Sequence, residues 1–146
     1  MKKLFLMLSS ATVMLVTSAT AADDPIAARK AIMQSVGAAA GLGGAMLKGE
    51  MDYNPKAGKA VMTAMHSAAI GIADLFPAGS ETGGKTTSSP KIWEDMAGFK
   101  AALAKFEADA GEGASSDLAD KAAFQAAFGK AAANCKSCHE GYRVKK

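Results

Sequence analysis

Read for the spacing of its apolar residues, the chain divides into one short, mainly apolar run and four longer stretches. In the longer stretches apolar side chains recur every three or four positions. The apolar run, Leu4 to Val16, follows Lys2 and Lys3 and precedes the small-residue sequence Ala19-Thr20-Ala21. That order of positive start, apolar middle and small cleavage site is a secretory signal peptide, residues 1–21. Ser9 and Ser10 interrupt the run, and it is shorter than the ~20 apolar residues that span a bilayer, so no membrane anchor is expected after cleavage. The remainder, 22–146, has the length of one domain.

Prolines punctuate that domain. Asp24-Pro25, Asn54-Pro55 and Ser89-Pro90 each set a capping residue before a proline suited to the first helical position, and Pro77 ends an apolar run. The spacing predicts a first helix from about Pro25 to Glu50, with Ile26, Arg29, Met33, Val36, Gly37, Ala40 and Leu47 facing inward. Gly37, Gly41, Gly43 and Gly44 weaken it, each by up to ~1 kcal/mol relative to alanine, so a flat ligand or a second helix should exploit the missing side chains.

A second helix is predicted from about Pro55 to Phe76 on Ala57, Val61, Ala64, Ala68, Ile72 and Leu75, with Met62, Met65 and Phe76 widening the stripe. Residues 77–89, rich in Gly, Ser and Thr, form a mobile loop in this reading. The third helix, Pro90 to about Ala110, has the clearest period: Ile92, Met96, Phe99, Leu103 and Phe106, with Trp93 on its edge. Gly111 to Ser116 reads as a break, and Ser116 or Asp117 as the cap of a fourth helix carrying Phe124, Phe128, Ala131, Cys135, Cys138 and Tyr142 on one face. Four amphipathic helices on short connections predict an all-α, antiparallel four-helix bundle. No strand pattern is visible.

Charge adds little. The precursor carries +3, but without the two signal lysines fifteen basic residues face fourteen acidic ones, a balance that gives no reason to expect nucleic-acid binding.

The chemistry sits at the C-terminal end. Cys135 and Cys138 are the only cysteines, and His139 follows directly, in Asn134-Cys135-Lys136-Ser137-Cys138-His139-Glu140. Cys-x-x-Cys-His is the attachment signature of c-type haem. On a helix the two thiols stand three positions apart, each able to form a thioether with a haem vinyl group. The imidazole, four positions from Cys135, lies beside them as the proximal iron ligand. A thioredoxin-like pair would need a βαβ setting, a zinc site would need ligands assembled across the fold from the distant His66, and a plain disulfide would leave His139 without a role. A buried haem would also supply the apolar area that so many alanines cannot, making the apoprotein much the less stable form.

This motif at the end of a four-helix chain resembles the class II cytochromes c, the cytochrome c-prime family. The likeness runs through Ala28-Arg29-Lys30 with Met33, Lys48-Gly49-Glu50-Met51-Asp52-Tyr53, Ile92-Trp93 with Phe99, and Cys135 through Arg143. It implies one covalent haem c near one end of the bundle, Arg29 paired with a propionate, and the first helix over the distal face. High-spin members carry an apolar or aromatic residue four positions after that arginine, whereas low-spin members carry methionine. Met33 therefore implies the low-spin branch, with methionine as distal ligand. Lys30 departs from the glutamine many members have there.

Met33 is one of six methionines in the mature chain, and core packing is the ordinary role of such a residue. His66 is a rival ligand or a solvated histidine. Lys130, Lys136, Arg143, Lys145 and Lys146 form a basic collar that either steers an acidic redox partner or simply solubilises the helix end. The expected protein is an exported, periplasmic one-electron carrier, not an enzyme, with redox proteins as partners and a homodimer contact through the first and second helices. The competing expectation is a high-spin haem protein that binds nitric oxide or carbon monoxide.

Overall fold

Every long helix begins at an oxygen-bearing side chain that accepts from a backbone N–H of the first turn. In the computed structural model, which describes residues 24–144, Asp24 caps α1 (Pro25–Lys48) through the Ala27 N–H at 2.8 Å. Asn54 caps α2 (Pro55–Ala69) through Lys56 and Ala57 at 2.9 and 3.2 Å. One turn, α3 (Lys91–Glu94), leads to Asp95, which caps α4 (Met96–Ser115) through Gly98 at 3.0 Å. Asp120 caps α5 (Lys121–Tyr142) through Ala123 at 2.8 Å. Each cap contributes about 1 kcal/mol. The signal-like segment 1–21 lies outside the described residues.

Three expected boundaries move, each for a local reason. The second helix ends at Ala69 instead of Phe76, because Gly71 turns left-handed (φ +73°) and the chain re-enters as a 3-10 turn, Ile72–Leu75. The third helix kinks at Asp95, whose backbone is not helical. It then runs on through Gly111 and Gly113, read from sequence as a break. Those glycines are kept helical by tertiary packing: a Cβ on Gly111 would lie 2.9 Å from His66 Nε2, and one on Gly113 would overlap the Met62 methyl. The cap of α5 is accordingly Asp120, not Ser116 or Asp117.

The four long helices form the expected all-α four-helix bundle. α1 packs on α2, α2 on α4 and α4 on α5, while α1 and α5 meet only sparingly. Their close approach is at Gly43, whose Cβ would stand 2.9 Å from Phe128 Cδ2. The main core gathers Met46, Val61, Met62, Met65, Phe106 and Phe124, so Met62 and Met65 are central while Ala64, predicted inward, is exposed. A second, smaller core of Ile72, Ile92, Phe99 and Leu103 lies toward the other end. On α1 the buried side chains include Val36, Ala39 and Met46; of the predicted stripe Met33 and Gly37 are exposed and, together with Val36 and Ala40, line a cavity. Among the described residues no helix is long and apolar enough to cross a membrane.

Candidate functional site

The seam along which α1 and α5 diverge opens into a cavity of about 600 Å³. α5 contributes Cys135, Cys138 and His139 to its lining, and α1 contributes Met33, Val36 and Gly37. Phe76, Ile92, Phe99 and Leu103 make much of the remaining wall apolar. Its volume falls within the ~300–1,000 Å³ of small-molecule sites, with an apolar wall on one side and polar and charged side chains, Arg29, Lys30, Lys85 and Arg143 among them, on the other.

The tether residues stand together as the spacing requires. Cys135 and Cys138 are half-buried free thiols one turn apart, and desolvation raises the pKa of both, with the neighbouring Cys135 adding to the effect at Cys138. His139 reaches the cavity from an otherwise exposed position. Partial desolvation, followed by the positive charge of Arg143 one turn on, lowers its pKa. A lowered pKa favours the neutral imidazole, the form that binds a metal.

Met33 lines the same cavity from α1 and is 36% exposed. Gly37, one turn further on, has nothing within 4 Å of where a Cβ would stand, so that part of the wall is left flat. His66, the rival ligand, is not in the lining and lies against Gly111 on α4.

Arg29 lines the cavity too, but is 3% exposed and largely occupied. Nη1 donates to the Leu75 carbonyl and Ser80 Oγ (3.2 and 2.9 Å), and Nη2 to the Ser80 carbonyl and Thr86 Oγ1 (2.6 and 3.2 Å). The guanidinium stacks 4.7 Å from the Phe76 ring centre. Burial lowers its pKa, against the opposing charges of Asp24 and Glu81. Its Nε is the one buried side-chain polar atom left without a partner among the described residues. Residues 77–89, expected to be mobile, are thus fastened to α1, and also to the end of α5, where Ser89 N–H bonds the Tyr142 carbonyl and Val144 N–H the Thr87 carbonyl.

The basic collar is partly neutralised: Lys130 pairs with Glu112 and Asp109, and Lys136 with Glu140, while Lys145 and Lys146 lie outside the described residues. Lys30, Lys85 and Arg143 border the cavity with no carboxylate within 4 Å among the described residues. Sequence reasoning missed two further features. Tyr142 donates to Asp95 Oδ2 at 2.8 Å and meets Phe99 edge-on, and Asn134 is bonded to Asp109. Asn134 adjoins the motif, but nothing in the pattern pairs it with a carboxylate twenty-five residues earlier.

These residues fit a covalently held haem. They present two thiols and an imidazole on one turn, an apolar slot with a flat wall at Gly37, and an unpartnered guanidinium nitrogen for an anionic edge. The comparisons agree. A family model described as cytochrome c' matches residues 24–143. A cytochrome c' of Rhodopseudomonas palustris is 41% identical, over 88% of this chain and 87% of its own length. The solved structure of cytochrome c' from that species superposes with a TM-score of 0.80, covering 84% of this chain and 98% of that one. A cytochrome c-556 of Agrobacterium tumefaciens (strain II Chrys) is 39% identical over 81% of this chain and 95% of its own. A further solved cytochrome c', 28% identical with a TM-score of 0.75 over 85% of this chain and 97% of that one, is described as having an unusual ligand-controlled dimer dissociation.

Proposed function

This chain belongs to the cytochrome c' family, with one covalent haem c as its cofactor, and from that premise we propose that it is an exported one-electron carrier with His139 and Met33 as axial ligands. When bound, haem c supplies an iron that cycles between ferric and ferrous. The observation that carries the reading is that Met33 of α1 and His139 of α5 line one cavity. Cys135 and Cys138 would hold the group by thioethers, and His139, whose pKa is lowered by desolvation and then by Arg143, would offer a lone pair. The Met33 thioether favours the ferrous state and raises the reduction potential. Arg29, through its free Nε, takes a propionate, while Phe76, Ile92 and Phe99 keep water from the reacting centre.

Residues 1–21 direct export and are removed, leaving 22–146 in the periplasm. Redox proteins with acidic docking faces are the partners, drawn to Lys30, Lys85 and Arg143 at the cavity rim. A second copy packs on the outer side of α1, where Leu42 is 39% exposed and Gly41 has no neighbour within 4 Å.

A second reading has one observation in its favour. The exposure of Met33 suits a side chain that stands off the iron and leaves a five-coordinate haem open to nitric oxide or carbon monoxide. The absorption spectrum of the purified holoprotein separates the two readings. A low-spin c-type spectrum that becomes high-spin in Met33→Leu supports the carrier. A spectrum already high-spin in the wild type supports the gas binder, and a low-spin spectrum unchanged in Met33→Leu assigns the sixth ligand elsewhere.

A further inference from the structure

Asp109 on α4 and Asn134 on α5 are 7% and 6% exposed, and neither belongs to the ligand set. Asn134 Nδ2 donates to Asp109 Oδ2 at 2.7 Å, and to the carbonyls of Lys130 and Ala131 at 3.2 Å each. The same carboxylate oxygen accepts from Lys105, and Lys130 Nζ lies 3.6 Å from the other. A buried carboxylate is costly unless several donors meet it. Here the donors come from both helices, which ties α4 to α5 at one point.

That point immediately precedes Cys135. Asn134 also lines the cavity, and its carbonyl accepts from Ser137 Oγ at 3.1 Å, inside the motif. At the far end of the same stretch Tyr142 is fastened to Asp95. The two ties bracket His139, so the helix between them is not free to turn about its axis. We propose that Asp109 and Asn134 form a positioning pair that locks the tether turn against α4 and so fixes the direction in which His139 presents its imidazole.

The inference rests on His139 being the iron ligand and is independent of what lies opposite. It is tested in the holoprotein by the ferric electron paramagnetic resonance g values and the Soret circular dichroism. Asn134→Ala and Asp109→Ala are expected to shift both signals in the same direction, and the double variant to shift them no further than either single one. Asp109→Asn, which keeps an acceptor of the same shape, should restore the wild-type signals. Glu112→Gln, which removes the neighbouring carboxylate on Lys130, should leave them in place. Asn134→Gln is the milder probe should the alanine variants not fold, and it too should shift them. Unchanged signals in the Asn134 variants, additive shifts in the double variant, or an Asp109→Asn variant that behaves like Asp109→Ala would each overturn the proposal. Loss of the Soret band in the wild type would instead remove the haem reading itself.

Discussion

Gly43 of α1 faces the ring of Phe128 on α5 so closely that a Cβ would stand 2.9 Å from Cδ2 and 3.0 Å from Cζ. This contact joins the two helices that otherwise diverge around the cavity. Replacing Gly43 by alanine should therefore destabilise the protein by about 1–3 kcal/mol through overpacking, although alanine is the better helix former. Gly129, next to Phe128 in sequence, has nothing within 4 Å, and its replacement by alanine should stabilise by up to ~1 kcal/mol. Thermal melts of the two variants, opposite in sign, check the assignment; a rise in Tm for Gly43→Ala would contradict it.

Arg29 spans from α1 to the 77–89 segment through three hydrogen bonds, to Ser80 and Thr86, and donates a fourth to the Leu75 carbonyl just before it. Lysine cannot reproduce that fork. Arg29→Lys should cost about 1.5–3 kcal/mol and speed amide exchange at Ser80 and Thr86, whose N–H groups close turns onto Pro77 and Gly83. Unaltered exchange there would show that the segment holds itself.

The cavity sets the cost of losing the haem. A Cys135→Ala/Cys138→Ala chain, left without either thioether, should melt well below the holoprotein and bind a dye for exposed apolar surface, because about 600 Å³ would stand open between α1 and α5. Equal melting temperatures for the two forms would show that the bundle does not depend on its cofactor.

Acid should act in part through Asp109. Hydrogen bonds from Lys105 and then Asn134 hold its carboxyl below the usual carboxylate range, so the folded form binds a proton less readily than the unfolded one. The stability this contributes is complete above about pH 3.9. It is lost as the pH falls through the folded-state pKa. Urea unfolding of Asp109→Asn should accordingly show a shallower fall in stability below pH 4 than the wild type; parallel profiles would assign the acid sensitivity to other groups.

Self-association can be read from mass. Leu42→Glu, on the exposed side of α1, should turn a dimer at micromolar concentration into a monomer without altering the Soret band. A wild-type protein already monomeric there would remove the α1 contact from the account.

The sequence disclosed those parts of the molecule whose cause is local. Asp24-Pro25 and Asn54-Pro55 mark their helices because capping is decided within three residues. Cys135, Cys138 and His139 come together because one helical turn suffices to bring them there. What stayed hidden depends on neighbours remote in the chain. Gly111 and Gly113 read as a break, yet remain helical because His66 and Met62 need the space a side chain would take. Arg29 resembled a residue waiting for an anion, while much of its guanidinium serves a loop some fifty residues away. Met33 and Gly37, expected to pack inward, are instead exposed on the wall of a cavity, because α1 diverges from α5 there.

The two hydrophobic clusters give maturation a sequence in time. The methionine- and phenylalanine-rich cluster around Met46, Met62 and Phe124, closed mostly by protein side chains, should condense without the cofactor. The end holding Ile92, Phe99 and the two thiols borders a gap, and should settle fully only when a porphyrin is seated. An attachment enzyme would thus meet a molecule already built at one end and still yielding at the other, with its sulfurs within reach.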